Sequence, residues 1–126
     1  MTIEEAVFLV DELKPNQIER ARKIEWLSRL DQKFYRDIVC RHEKDADTPE
    51  EFIPYDSETD EDTELLIKAP YDEVYRFYLE MHIDLVNQEY DKYNNSAMLY
   101  AVKWGELTRA YHREHRPIPM TDAMRF

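Results

Sequence analysis

Glycine is almost missing from this sequence: Gly105 is the only one in 126 residues. Tight hairpins and phosphate-cradling loops draw on glycine for positive φ, so folds built from them are disfavoured. Cysteine is equally scarce. Cys40 stands alone, which excludes a disulfide within the chain and leaves a small semi-buried hydrophobe as its simplest role. No apolar run approaches the roughly 18 residues of a membrane span. The opening MTIEEAVFLVDELK is acidic where a secretory signal needs basic residues, and no small-residue cleavage site follows, so a cytoplasmic protein is expected. Basic charge is also short. The net charge is −11, which argues against a grip on DNA built from Lys and Arg against phosphate. Residues 45–64 hold ten acids and no Lys or Arg, while the remainder has 18 acids against 17 bases. The acidity therefore belongs to one segment of an otherwise near-neutral chain.

What is present reads as helix. Thr2 and Glu5 form a T-x-x-E capping box, followed by Ile3, Ala6, Val7, Leu9, Val10 and Leu13 as the apolar residues of a short helix that stops before Pro15. Asn16, with Glu19 three residues on, predicts the cap of a second helix running to about His42. Its stripe is Ile18, Ala21, Ile24, Leu27, Leu30, Phe34 and Ile38, widened by Trp26, Tyr35 and Val39. A third helix is expected over 71–86, opened by Pro70, Asp72 and Glu73. A fourth follows to His115, with Tyr90, Tyr93, Ala97, Tyr100, Ala101, Trp104, Leu107, Thr108 and Tyr111 on one face. A single helix from 71 to 115 would be about 67 Å long, too long for so small a domain. Asn87 is the preferred break, which makes helices three and four an antiparallel hairpin, and Asn94-Asn95-Ser96 is the competing one.

Between the second and third helices, residues 44–70 break the periodicity. Pro49, Pro54 and Pro70 punctuate them, and two apolar knots, Phe52-Ile53-Tyr55 and Leu65-Leu66-Ile67, either pair as short strands or pack on the helices. The expected architecture is all-α: a small helix bundle over 1–116 with a long hairpin, an acidic loop at 44–70 able to hold a short β-hairpin, and an extended C-terminal arm over 117–126. Pro117 and Pro119 end the last helix, and Ile118, Met120, Met124 and Phe126 give the arm apolar anchors.

No chemical signature stands out. His112 and His115 are one turn apart, but a zinc site needs three or four ligands, and no Cys or HExxH motif supplies the rest. The acids Asp56, Asp60, Asp62 and Glu64 fail the calcium-loop pattern, because neither register places a glycine at the turn or a Glu at the end. Ser28, Ser57 and Ser96 lie in no nucleophile-elbow pattern. No cofactor, no metal and no enzymatic activity are expected. Nine of the 16 aromatics fall between 71 and 111, mostly tyrosines. Tyrosine joins apolar area to a hydroxyl, and suits surfaces shared between core and interface. Trp26, Tyr35 and Trp104 are candidate partner-binding residues, with Ile118, Met120, Met124 and Phe126 as a peptide anchor. Asp56, Glu58, Asp60, Glu61, Asp62 and Glu64 form a candidate acidic surface able to repel DNA or to face a basic partner.

Taken in order, DELKPN, WLSRLD, FIPY, DTELL, APYDEVY, YLE, EYDKYNNSA and Y-x-R-x-H-x-P resemble the small helical head–tail connector (adaptor) proteins of tailed phages infecting Gram-positive bacteria. The resemblance runs from about Asp11 to Pro117. It implies a structural virion protein of the neck, made in the host cytoplasm, that forms a ring with copies of itself, usually a dodecamer. Its implied partners are the portal protein, a stopper or tail-completion protein, and DNA passing without sequence-specific binding; no membrane is implied. The alternative drawn from the acidic segment is a DNA-mimic inhibitor of a host nucleic-acid-binding protein.

Overall fold

The computed structural model describes residues 1–118. Its architecture is an all-α bundle of four helices: α1 (Ile3–Leu13), α2 (Arg20–Asp37), α3 (Glu73–Val86) and α4 (Tyr90–Glu114), with a 3₁₀ turn at Val39–Arg41 after α2. Helix α3 is the hub. It packs on α1, α2 and α4, whereas the backbones of α1 and α4 stay apart. Pairings of Glu73 with Lys103, Tyr78 with Tyr100 and Asp84 with Ser96 show that α3 and α4 run antiparallel. The core joins Ile3, Val7 and Val10 of α1 to Ile24, Leu27, Leu30 and Phe34 of α2 and Val74, Tyr75, Leu79 and Ile83 of α3. Helix α4 contributes little to it; only Ser96, Leu107 and Ala110 of its 25 residues are buried.

Several boundaries follow the sequence reading and others move. The Thr2 hydroxyl accepts the Glu5 N–H at 3.1 Å, as the capping box requires. Residues 61–63 complete that cap: the Thr63 and Glu61 carbonyls accept the N–H groups of Ile3 and Glu4, donors that a helix N-terminus leaves without intrahelical partners. Asn16 does not cap α2. Its side-chain carbonyl accepts the Ile18 N–H at 3.0 Å while its amide donates to Asp11 and the Lys14 carbonyl. That local turn holds residues 15–19 out of the helix, and α2 starts only at Arg20.

The hairpin breaks at Asn87, as expected, but the left-handed residue is Gln88, with φ 58°. Gln88 N–H donates to the Leu85 carbonyl and Glu89 N–H to the Asp84 carbonyl, the paired closure of a Schellman motif, in which the left-handed residue follows the cap. The alternative break at 94–96 lies inside α4. There Ser96 turns inward and donates to Asp84 at 2.8 Å.

The acidic loop holds no β-hairpin. Among the described residues, pairing outside helices is limited to two isolated antiparallel bridges, Thr2 with Glu64 and His42 with Pro117. The two apolar knots pack on helices instead: Leu65 and Ile67 enter the core, Phe52 lies against Tyr35, and Tyr55 lies edge-on to Phe52. The arm does not leave the body at 117. Glu43 N–H donates to the Arg116 carbonyl and Ile118 N–H to the Arg41 carbonyl, so 116–118 lie along 41–43. Cys40 is exposed, not semi-buried. No helix among the described residues is long and apolar enough to cross a membrane.

Candidate interaction surface

The acidic segment is held by one buried carboxylate. Asp31 of α2 is fully buried; Oδ2 accepts the Tyr55 hydroxyl at 2.7 Å and the Leu66 N–H at 3.0 Å, and Oδ1 accepts the Tyr75 hydroxyl. The Tyr75 oxygen in turn accepts the Ile67 N–H at 2.8 Å, and the Ser28 hydroxyl accepts the Tyr55 N–H at 2.9 Å. Two helices and both knots of the loop thus meet at Asp31. Burial pushes its carboxyl above the ordinary 3.8, against three donors that favour the ionised form. Sequence reading overlooked this residue. Its signal was there: Asp31 sits four residues after Leu27 and three before Phe34, an acid on the apolar face of α2.

Asp56, Glu58, Asp60, Glu61, Asp62 and Glu64 are all exposed. Two side chains organise the backbone between them: Asp56 accepts the Glu58 N–H and Asp60 accepts the Asp62 N–H, both at 2.9 Å. The remaining carboxylates face solvent, apart from Glu64 near the N-terminal ammonium at 3.3 Å and Glu61 beside Arg20 at 4.0 Å.

The aromatic residues divide between inside and outside. A seam of rings crosses the bundle: Trp26 stacks on His82 at 4.9 Å, His82 meets Tyr78 at 4.5 Å, Tyr78 meets Tyr100 at 5.3 Å, and Phe34 meets Tyr111 at 5.6 Å. Trp26 and Tyr35, expected at a partner surface, lie in the core of the single chain, 6% and 8% exposed. The Tyr35 hydroxyl donates to the Pro49 carbonyl, which fixes the ring inward. Trp104 is half-buried, edge-on to Phe34 and covered by Lys33 at 4.9 Å. Ile118 is exposed; Met120, Met124 and Phe126 lie outside the described residues.

The exposed apolar surface lies elsewhere. Tyr90, Met98 and Val102 are 60%, 60% and 50% exposed, and with Asn94 they form an i, i+4 ladder down the outside of α4. Phe8 and Leu13 of α1 are 59% and 50% exposed. The sequence stripe grouped Tyr90 with Tyr93 and Tyr100; in the structure Tyr93 and Tyr100 are half-buried, while Tyr90 is exposed, in phase with Met98 and Val102.

The four histidines split into local partners. His42 is buried, and its Nδ1 lies 2.7 Å from the Ile38 carbonyl and its Nε2 3.3 Å from Nδ1 of His112, 70 residues away in sequence. His115 stacks on Tyr111 and sits 2.8 Å from Asp45. No group of three or more His, Cys, Asp or Glu among the described residues could hold a metal ion.

His82 and His115 respond to pH in opposite directions. Burial, then the charge of Arg29, hold His82 below its ordinary 6.5. Its contribution to stability is present above 6.5 and is lost as pH falls toward the folded value. For His115, burial opposes the charge but Asp45 and the Tyr111 carbonyl outweigh it, so the folded value is raised. That contribution is present below 6.5 and is lost as pH rises through the folded value. His82→Phe keeps the stack on Trp26 and loses less stability than the parent as pH falls below 6.5. The deficit of His115→Gln shrinks as pH rises above the same value. Urea midpoints across a pH series read both; parallel curves for parent and variants would contradict the assignment.

Comparisons with protein-family models, curated proteins and solved structures return no match to this chain.

Proposed function

We propose that this chain is a structural subunit of a tailed-phage neck, a head–tail connector that assembles with its own copies into a ring between the portal and a stopper or tail-completion protein, extending the DNA channel. The sequence resemblance motivates the reading, and the exposed apolar ladder of α4, with separate exposed apolar side chains on α1, carries it. A ring needs a heterologous interface, in which one surface meets a different surface on the next copy. Here Tyr90, Met98 and Val102 lie along one side of α4, and Phe8 and Leu13 are exposed on α1, a helix whose backbone does not approach that of α4; both helices pack on α3. Exposed large apolar residues grouped on one face mark association sites. In this reading the acids at 56–64 face the channel or a basic neighbour, and no step of chemistry is required of the chain.

The test is assembly. Light scattering and negative-stain images of the protein mixed with its portal are expected to show an added ring. The pair Met98→Glu and Val102→Glu is expected to abolish that ring while leaving the unfolding free energy within about 0.5 kcal/mol per substitution of the parent, because both side chains are exposed. The DNA-mimic reading draws on the anchoring of the acidic segment at Asp31, which fixes its carboxylates in space. A DNA-competed complex with a basic nucleic-acid enzyme, without any ring, would replace the connector reading with that one.

A further inference from the structure

A cleft of about 590 Å³ opens between the acidic segment, the end of α2 and the end of α4. Its floor is apolar: Phe34, Val39, Leu65 and Leu107 are buried beneath it, and the Tyr111 ring forms one wall. Its rim is acidic. Asp45, Asp47, Glu64 and Glu114 surround the mouth, against Lys68 and His115. Asp45 is taken by His115 and Glu64 by the N-terminal ammonium, while Asp47 and Glu114 have no ion-pair partner among the described residues. The walls are built, not incidental: Tyr35 donates to the Pro49 carbonyl on one side, and the Asp31 clamp fixes Leu66 on the other.

We propose that this cleft is a docking site for a protein segment that inserts an arginine or lysine side chain, its aliphatic stem on the apolar floor and its charged head among the rim carboxylates. Long basic side chains are suited to this division, because they bury the stem and keep the charge at the polar edge. The aromatic wall adds cation–π attraction. The negative field is felt inside the cleft: Tyr111 is pushed up to about 12 by burial and then by the charges of Asp45, Cys40 and Asp47. The volume lies within the range of ligand sites, about 300–1,000 Å³, and exceeds what one guanidinium fills, which selects a peptide segment over a small amine. Phosphate-bearing nucleic acid is repelled by the same rim. The inference stands apart from ring formation and holds for a connector or for an inhibitor.

A capped pentapeptide, Leu-Ala-Arg-Ala-Leu, and its citrulline twin, which removes the charge and keeps the shape, are titrated into the labelled full chain and followed by amide NMR shifts. The arginine peptide is expected to give saturable shifts at Leu66, Tyr71, Leu107 and Tyr111, and the citrulline peptide to bind about tenfold more weakly. Asp47→Asn with Glu114→Gln, both exposed, is expected to weaken the arginine peptide about tenfold, whereas Asp60→Asn with Asp62→Asn leaves it unchanged. Equal binding of the two peptides, shifts centred on residues 56–62, or no saturable shift would each overturn the proposal.

Discussion

Asp31→Ala is expected to cost about 3–5 kcal/mol, because it leaves buried donors on Tyr75 and Leu66 facing no acceptor. For a domain whose total stability is about 5–15 kcal/mol, that is enough to populate unfolded or partly unfolded forms at room temperature. The damage should be local first. Tyr55, Leu66 and Ile67 are tied to the helices through Asp31 and Tyr75, so residues 52–67 should lose hydrogen-exchange protection before α3 does. Asp31→Asn is a sharper probe. Every partner of the carboxylate is a donor, and an amide presents one acceptor and one donor group. The expected cost is about 1–3 kcal/mol. Its size should depend on pH. The folded Asp31 carboxyl titrates above its ordinary 3.8, so the proton-linked stability of the parent is full below 3.8 and is lost as pH rises through the folded value. The penalty of the asparagine variant therefore shrinks over the same window. A double-mutant cycle with Tyr75→Phe should show strong coupling, since both changes break one bond. Urea unfolding measures all of these; additive effects of Asp31→Ala and Tyr75→Phe would contradict a shared network.

Asp84→Ala carries the second largest expected effect, about 2–4 kcal/mol. Asp84 is fully buried at the end of α3, where Lys14 reaches it at 2.6 Å and Ser96 at 2.8 Å, so one side chain joins the ends of α1 and α3 to the first third of α4. Removing one member of a buried pair commonly costs about 3–5 kcal/mol. The figure here is reduced because the Lys14 side chain is 24% exposed and its ammonium can turn to water. The readout that separates this role from general destabilisation is position. Exchange should accelerate over residues 90–96 while the far half of α4, held by Leu107 and Ala110, stays protected. Uniform acceleration along α4 would show that Asp84 is not a local pin. Ser96→Ala tests the milder half of the arrangement and should cost about 1 kcal/mol.

Much of the fold is legible in residue order. Scarce glycine, the cap at Thr2, the stop at Pro15 and the apolar repeats gave α1, α3 and α4 within a few residues, because helix formation depends on contacts three and four positions apart; α2, expected to reach about His42, ends at Asp37 and gives way to a 3₁₀ turn. The break at Asn87 was readable for the same reason. What failed were local signals with two uses. Asn16 is a good cap by type, yet its carbonyl is spent on a turn with Ile18, and α2 starts four residues later. Phe52 and Leu65 read equally well as strand or as helix-facing knots. The choice fell to Asp31, whose position on an apolar face was visible but whose partners, 24 to 44 residues away, were not.

The interaction surface is the least legible part. Trp26, Tyr35 and Trp104 were chosen by residue type, and type does not say which side of a helix meets the core. Tyr90, Met98 and Val102 are distinguished only once α4 is laid against α3 and its opposite side is seen to be uncovered.

By itself, the sequence determined helix content, the hairpin, the near-neutral body and its one acidic segment, since propensity, periodicity and charge are local quantities. Tertiary structure alone decided that Asp31 would anchor that segment, that His42 would meet His112 across 70 residues, and that an apolar ladder on α4 would be left uncovered. Those outcomes depend on which distant groups share a low-dielectric interior, where an unmet donor or acceptor is too costly to leave, and no neighbouring residue carries that information.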